Sequence, residues 1–190
     1  MERDKDALDD SFAEFVQTRG EYHRRVSILL AGDWHAGEDL IQASLLRLYE
    51  VWPRLDTTTR ADAYLHKIMV NQQRSWRRTK WRGEVPGSHI PDPASPDDPA
   101  DQQATGAVVR AALTGLPYKQ RAALVLRYFA DLTEGETATI LGCSAGSVKT
   151  HTSRGVHAMR ERLRSEFDRS HATAGARLAA NGFCEGGVHA

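Results

Sequence analysis

Apolar residues recur at helical spacing through the first part of the chain. The pattern predicts three helices, over about 11–31, 36–52 and 60–80, with a break at Gly32 and a stop at Pro53. Each helix has one apolar side, as a helix needs when it packs against its neighbours. Nothing in residues 1–82 alternates in the way that is typical of a strand. The sequence therefore predicts a small helical domain over residues 1–82.

A second group of helices follows, at about 105–115 and 117–130, and then two helices joined by a short turn. Thr133 and Glu136 form T-x-x-E, a capping box that begins the first of this pair. Gly142 can adopt the left-handed conformation that often ends a helix, and Ser144 can cap the next helix, which we expect to reach about residue 164. Two helices joined by a glycine turn indicate a helix-turn-helix.

The segment between the two groups has a different composition. Residues 83–105 contain five of the seven prolines and no lysine or arginine, which is typical of an extended, acidic linker. We therefore expect an all-α protein of two helical domains, 1–82 and 106–170, which can sit on separate sites. The last residues, 171–190, are rich in Gly and Ala and lack periodicity, so we expect a tail that is disordered or loosely docked.

Charge is balanced over the whole chain but not along it. Residues 60–82 hold 7 Lys or Arg against 1 Asp or Glu, and residues 106–170 hold 10 against 6. Residues 1–59 and 83–105 are acidic, with 7 against 12 and 0 against 5. Alternating segments of this kind indicate that particular surfaces, rather than the whole molecule, meet nucleic acid.

The second helix of the helix-turn-helix has two faces when residues are placed at 100° intervals. Val148, Val156 and Leu163 share an apolar face, and the opposite side carries hydroxyl and cationic groups. Such groups can pair with base edges and phosphates, so we predict a DNA-reading face, although a solvated surface helix would show the same pattern. The candidate contacts, called here the reader face, are Ser144, Ser147, Lys149, Thr150, Ser153 and Arg154.

The helix at 60–80 carries a polar stripe opposite its apolar side. Lys67, Asn71, Arg74 and Arg78 follow one another at i, i+4, i+7 and i+11, and Arg77 widens the stripe. Trp76 and Trp81 lie among these cations. A basic helix with interleaved aromatic rings can hold a phosphate backbone and stack unpaired bases. We call Lys67, Asn71, Arg74, Arg77 and Arg78 the basic stripe; the alternative is a solvated, charged end of a helix.

The helix at 36–52 presents a mixed surface away from its apolar side. Asp39, Gln42, Leu46 and Tyr49 lie at i, i+3, i+7 and i+10, so two apolar side chains stand among polar groups. We call these four residues the docking face. They predict a contact with a protein partner, and an intramolecular contact with the first helix explains the pattern equally well.

Three stretches in this order resemble the extracytoplasmic-function, or group-four, sigma factors of bacterial RNA polymerase, with the short opening of the actinobacterial type. They are GDWHAGEDLIQASLLRLYEVW, AYLHKIMVNQQRSWRR and LPYKQRAALVLRYFADLTEGETATILGCSAGSVKTHTSRGVHAMRERL, and the resemblance spans about residues 11–165. It implies a protein without a catalytic site that directs promoter-specific initiation of transcription.

The resemblance also implies partners for each surface. The docking face would bind the clamp helices of the largest subunit of core RNA polymerase, and the second domain would also meet the flap. The basic stripe would melt and read the −10 element as single-stranded DNA, with Asn71 reading a base. The reader face would contact the −35 element as duplex in the major groove. Members of the family are often held by an anti-sigma factor, although nothing in this sequence identifies one.

Other functional classes find less support in the sequence. A two-domain response regulator could use the same helix-turn-helix, but it would need a first domain with alternating strands and helices. An enzyme is suggested only by eight histidines, and these form no H-E-x-x-H, so we expect neither a metal site nor a cofactor. The charged start, MERDKDALDD, and the lack of a long apolar run predict no signal peptide or membrane span, and hence a cytoplasmic protein.

Overall fold

A computed structural model describes residues 2–55, 58–83 and 104–181, and these ranges contain no strand. The all-α fold class predicted from the sequence is thereby confirmed. The predicted linker lies almost wholly outside the described residues. The helices are α1 (Glu2–Ala31), α2 (Trp34–Val51), a 3₁₀ turn (Trp52–Arg54), α3 (Thr58–Gly83), α4 (Ala104–Thr114), α5 (Tyr118–Leu124) with a π-helical continuation (Val125–Phe129), α6 (Glu134–Leu141) and α7 (Ala145–Asn181).

The turn between α1 and α2 is built by two adjacent residues. Gly32 follows the last residue of α1 with a φ of +81°, a backbone conformation that residues other than glycine rarely adopt. Asp33 then caps α2, because its carboxylate accepts a hydrogen bond of 2.8 Å from the Ala36 amide. The two helices approach so closely that a Cβ placed on Gly37 would lie 2.6 Å from the Ile28 Cα. The break predicted at Gly32 is therefore confirmed.

The helix-turn-helix also begins and turns where the sequence predicts. Thr133 and Glu136 form the capping box, in which the Glu136 carboxylate accepts from the Thr133 amide at 2.7 Å. Gly142 is left-handed, with φ +62°, and its amide donates to the Ala138 carbonyl. These local contacts fix the direction in which α7 leaves the turn.

Two boundaries differ from the prediction. Helix α1 begins at Glu2, about nine residues earlier than the apolar pattern indicates. Acidic side chains are favourable at a helix start, so the charged opening extends the helix without any apolar stripe. Helix α7 continues to Asn181, beyond the end near residue 164 that the sequence indicates. Its alanines have the highest helix propensity, which periodicity alone does not reveal.

The two halves of the chain pack against each other in the structure. Leu30 and Leu65 of the first half belong to the same continuous buried cluster as Val125 and Val148 of the second half. Helix α1 contacts α4 and α5 of the second half, and helix α3 contacts α6. The described residues therefore form one closed body in which α3, with its basic stripe, lies against the helix-turn-helix.

Candidate nucleic-acid interface

The start of α7 is organised by Ser144. Its hydroxyl oxygen accepts a hydrogen bond of 3.1 Å from the Ser147 amide and lies 2.9 Å from the Ser147 hydroxyl. This is the cap expected from the sequence. One turn into the helix, Val148 is completely buried and fixes the rotation of α7 about its axis. The opposite side of the helix is consequently turned away from the core.

The reader face predicted from the sequence is brought together on that outer side. Lys149, Thr150, Ser153 and Arg154 are exposed, as is Ser144, and Ser147 is half-buried. The Thr150 hydroxyl donates to the Gly146 carbonyl at 2.9 Å, which leaves its oxygen lone pairs directed outward. This surface offers two cations and several hydroxyl groups, the donor types that contact phosphates and base edges.

A close helix contact holds α7 in place. Gly155 is buried against α5, and a Cβ at this position would lie 2.9 Å from Leu124 Cδ1 and 3.4 Å from the Gln120 carbonyl oxygen. The absence of a side chain thus lets α5 act as the platform for the reader helix.

His151 lies between the reader face and the first half of the chain. Burial lowers the pKa of its imidazole, and the nearby cations Lys119 and Arg154 lower it further. His151 is therefore neutral at pH 7, and the positive charge of the reader face comes from Lys149 and Arg154.

The basic stripe lies along the exposed side of α3. Lys67, Asn71, Arg74, Arg77 and Arg78 are all exposed. The opposite side of the same helix contributes Leu65 and Met69 to the core, and both are completely buried. The helical phase read from the sequence is therefore confirmed, and the five predicted side chains share one surface.

Part of this basic stripe is already engaged within the molecule. Arg74 Nη2 donates to the Leu141 carbonyl oxygen at 2.6 Å, and the Arg77 guanidinium lies 5.0 Å from the centroid of the Tyr118 ring. A cleft of about 590 Å³ opens between α3 and the start of α7. Its described lining contains no acidic residue and five basic ones, Arg74, Arg77, Arg78, Lys119 and His151.

The docking face on α2 is also exposed. Asp39 and Gln42 face outward, and the side chains of Leu46 and Tyr49 are 70% and 37% exposed. The intramolecular alternative holds for Tyr49, since its hydroxyl donates to the Asp9 carboxylate and its ring meets Phe12 edge-on at 5.1 Å. Leu46 remains an exposed apolar side chain in the middle of this face.

Arg121 is a residue that the sequence gave no reason to select. It is 5% exposed, at the start of an apolar run, and its guanidinium donates to three backbone carbonyls. The sequence marks Arg121 only by its position directly before the apolar run AALVL. Helical periodicity places Arg121 toward the core, but it does not predict the backbone carbonyls to which the guanidinium donates.

The described residues contain no group of three or more His, Cys, Asp or Glu that could hold a metal ion. None of the helices within the described ranges is both long and apolar enough to cross a membrane.

Comparisons with known proteins match both halves of the chain. The family model for sigma-70 region 2 matches residues 19–83, and the model for sigma-70 region 4 matches residues 107–159. The RNA polymerase sigma-E factor of Streptomyces avermitilis is 38% identical over 154 residues, covering 81% of this chain and 86% of the relative. The ECF RNA polymerase sigma factor SigW of Bacillus subtilis is 26% identical over 168 residues, covering 82% and 90%.

Two solved structures share the fold. The sigma factor RpoE, in complex with the anti-sigma factor NepR from Bartonella quintana, has a TM-score of 0.63 at 23% identity and covers 81% of this chain and 97% of its own. CnrH, in complex with the cytosolic domain of CnrY, has a TM-score of 0.56 at 18% identity, with coverage of 85% and 90%. At these identities the likeness concerns the fold alone. From the sequence matches, the chain belongs to the RNA polymerase sigma factors of the extracytoplasmic-function group, and it is a transcription initiation factor rather than an enzyme.

Proposed function

We propose that this protein binds core RNA polymerase in the cytoplasm, directs it to promoters through the −35 and −10 elements, and melts the DNA at the −10 element. Residues 1–82 serve as the polymerase-binding and −10 domain, and residues 106–170 serve as the −35 domain. The proposal is supported most directly by two exposed cationic surfaces on separate halves of the chain, the basic stripe and the reader face.

Run-off transcription with core polymerase and a library of genomic promoter fragments tests this function. Core polymerase with this protein should start at defined positions, whereas core polymerase alone should start without preference. If addition of the folded protein leaves the start sites unchanged, the sigma function is refuted.

The reader face can be tested with Arg154→Ala, because a lost base or phosphate contact of this kind costs about 1–3 kcal/mol. We expect about a five-fold to hundred-fold loss of affinity for −35 duplex and unchanged binding to core polymerase. Arg164→Ala is the matched control, since Arg164 is an exposed arginine further along α7 and lies outside the reader face. Equal effects of the two substitutions would argue against a role for this face.

The basic stripe can be tested with Asn71→Ala, which removes an exposed amide without changing the charge of α3. We expect promoter opening, measured by permanganate reactivity of unpaired thymines, to fall more than duplex binding does. Opening requires bases to leave the stack, which costs a few kcal/mol that contacts to single-stranded bases must offset. Unchanged permanganate reactivity would contradict the assignment.

An anti-sigma factor is a further proposed partner. One structure with this fold is a complex of the sigma factor RpoE with the anti-sigma factor NepR, and a second is CnrH in complex with the cytosolic domain of CnrY. By analogy with the first, we propose that this protein is also held by an anti-sigma factor. Affinity purification from the native host, followed by a transcription assay with the captured protein, tests the analogy: a captured protein that leaves transcription unaffected would contradict it.

A further inference from the structure

The cleft between α3 and the start of α7 collects basic groups from three helices. Its described lining contains arginines of α3, a lysine of α5 and a histidine of α7, but no carboxylate: Arg74, Arg77, Arg78, Lys119 and His151. Its volume of about 590 Å³ lies within the range of about 300–1,000 Å³ that is typical of small-molecule sites. The three arginines and Lys119 are exposed, so a ligand in the cleft can reach them.

Two of these arginines are held in place by uncharged groups. Arg74 Nη2 donates to the Leu141 carbonyl oxygen at 2.6 Å, and the Arg77 guanidinium lies 5.0 Å from the centroid of the Tyr118 ring. A guanidinium has five N–H donors, and each of these contacts leaves most of them available. An anion would therefore form charge-assisted hydrogen bonds with side chains that are already ordered, which lowers the entropic cost of binding.

The first turns of α7 contribute two further groups to the cleft, the Ser147 hydroxyl and the His151 imidazole. Burial lowers the pKa of His151, and the charges of Lys119 and Arg154 lower it further, because another positive charge is unfavourable there. An anion in the cleft would reverse the sign of the local field and favour the imidazolium. His151 would then add a fifth positive charge to those of the three arginines and Lys119.

The shape of the cleft favours a compact polyanion over duplex DNA. Duplex DNA spreads its phosphates along the outside of a long cylinder, at one charge per about 1.7 Å of axis. In the cleft, by contrast, basic groups from α3, α5 and α7 converge on one small volume. A chain of linked phosphates concentrates several negative charges in such a volume, and arginine pairs with phosphate oxygens in a bidentate manner.

We propose that this cleft binds a polyphosphate group, carried by a nucleoside polyphosphate or by free inorganic polyphosphate, and that the bound ligand competes with DNA. Binding can be measured whether or not the protein is a sigma factor, whereas the regulatory consequence rests on the proposed function. Three residues of the basic stripe, Arg74, Arg77 and Arg78, line the cleft, and so does Ser147 of the reader face. A bound polyphosphate would thus occupy groups of both DNA-contacting surfaces and act as a negative regulator.

Isothermal titration calorimetry of the full chain, without Mg²⁺, polymerase or DNA and at fixed ionic strength, tests binding. The probes are sodium tripolyphosphate, ATP and AMP. We expect one site per chain and at least about ten-fold tighter binding of tripolyphosphate and ATP than of AMP, which has a single phosphate. Equal affinities for tripolyphosphate and ATP would assign the site to the phosphate chain, and tighter binding of ATP would assign it to a nucleotide. The absence of saturable binding below about 1 mM, or equal binding of AMP, would overturn the proposal.

Lys119→Gln locates the site. Lys119 lines the cleft but belongs to neither the basic stripe nor the reader face, and its replacement should weaken tripolyphosphate binding about five-fold to ten-fold, since one charged contact is lost. Arg160→Gln is the matched control, because Arg160 is exposed on α7 outside the cleft and the change in net charge is the same. It should alter the affinity less than about two-fold, since salt screens distant exposed charges. Circular dichroism verifies that both variants fold, and equal effects of the two would refute binding in the cleft.

Competition with fluorescein-labelled (dT)20, a probe for the basic stripe, tests the regulatory consequence. Tripolyphosphate should displace (dT)20 from the wild-type protein at concentrations near its calorimetric Kd. Lys119→Gln should bind (dT)20 as the wild type does, but about five-fold to ten-fold more tripolyphosphate should be needed to displace it. Equal displacement from both proteins, or a bound ligand that leaves (dT)20 in place, would refute competition.

Run-off transcription distinguishes failure of this inference from failure of the proposed function. A protein that directs initiation but does not bind tripolyphosphate or ATP refutes only the polyphosphate site. A protein that binds these probes in the cleft but leaves the start sites of core polymerase unchanged refutes only the sigma function, and the ligand site stands.

Discussion

A buried histidine makes the stability of this protein dependent on pH. His66 on α3 is 1% exposed, and neither of its ring nitrogens has a hydrogen-bond partner among the described residues. Its pKa is lowered to about 4, chiefly by burial and then by the neighbouring His23. Asp62 partly opposes this effect and Arg19 adds to it. His66 is therefore neutral in the folded protein at pH 7.

The magnitude follows from the difference between folded and unfolded states. The unfolded chain binds a proton at His66 as the pH falls through about 6.5, whereas the folded chain binds it only near pH 4. Between these values the unfolded state holds more protons, so stability decreases as the pH falls. At about 1.4 kcal/mol per pH unit, this one residue removes about 3 kcal/mol between pH 7 and pH 4.

Urea denaturation followed by circular dichroism at pH 7, 6, 5 and 4.5 measures this dependence. His66→Leu, which has a similar volume, should reduce the decrease in unfolding free energy by about 2 kcal/mol over this range. His157→Gln, which replaces an exposed histidine of α7, is the control for the loss of a histidine as such. If wild type and His66→Leu lose stability in parallel, burial of a neutral imidazole is not the cause.

Four further substitutions test other parts of the structure. Thr133→Ala should destabilise the protein by about 1 kcal/mol in urea denaturation, because it removes one side of the capping box; no change would show that the cap is dispensable. Gly142→Ala should cost about 1 kcal/mol by the same measure, since φ is +62° there. Gly37→Ala should lower the Tm by several degrees or prevent folding, because its Cβ would lie 2.6 Å from the backbone of Ile28; a wild-type Tm would contradict this close approach. Leu46→Ala should weaken binding to core polymerase, measured by fluorescence anisotropy, without changing stability, and equal affinity would remove Leu46 from the docking face.

The features that the sequence predicts well are those determined within about four residues. The capping box at Thr133, the left-handed Gly142 and the helical phase of α3 each depend on local spacing, and each is found in the structure. The reader face and the basic stripe follow from the same phase, since opposite sides of a helix must be buried and exposed in turn.

The features that the sequence does not predict depend on residues far apart in the chain. Arg121 and Leu30 are separated by 91 positions, and Arg74 and Leu141 by 67, so no local pattern relates them. In the sequence, His66 is likewise one residue of an amphipathic helix, and nothing nearby predicts its burial with His23. The two rings form a buried pair only because α1 packs against α3.

The basic stripe is therefore a surface with two competing partners. In the closed protein, Arg74 binds a carbonyl oxygen and Arg77 covers the Tyr118 ring. Neither partner carries a full negative charge, whereas a phosphate does, and charge-assisted hydrogen bonds are roughly twice as strong as neutral ones. The contact between the two halves must then rest mainly on the shared apolar core and on the hydrogen bonds of Arg121, whereas Arg74 and Arg77 would exchange their present partners for phosphates when DNA binds.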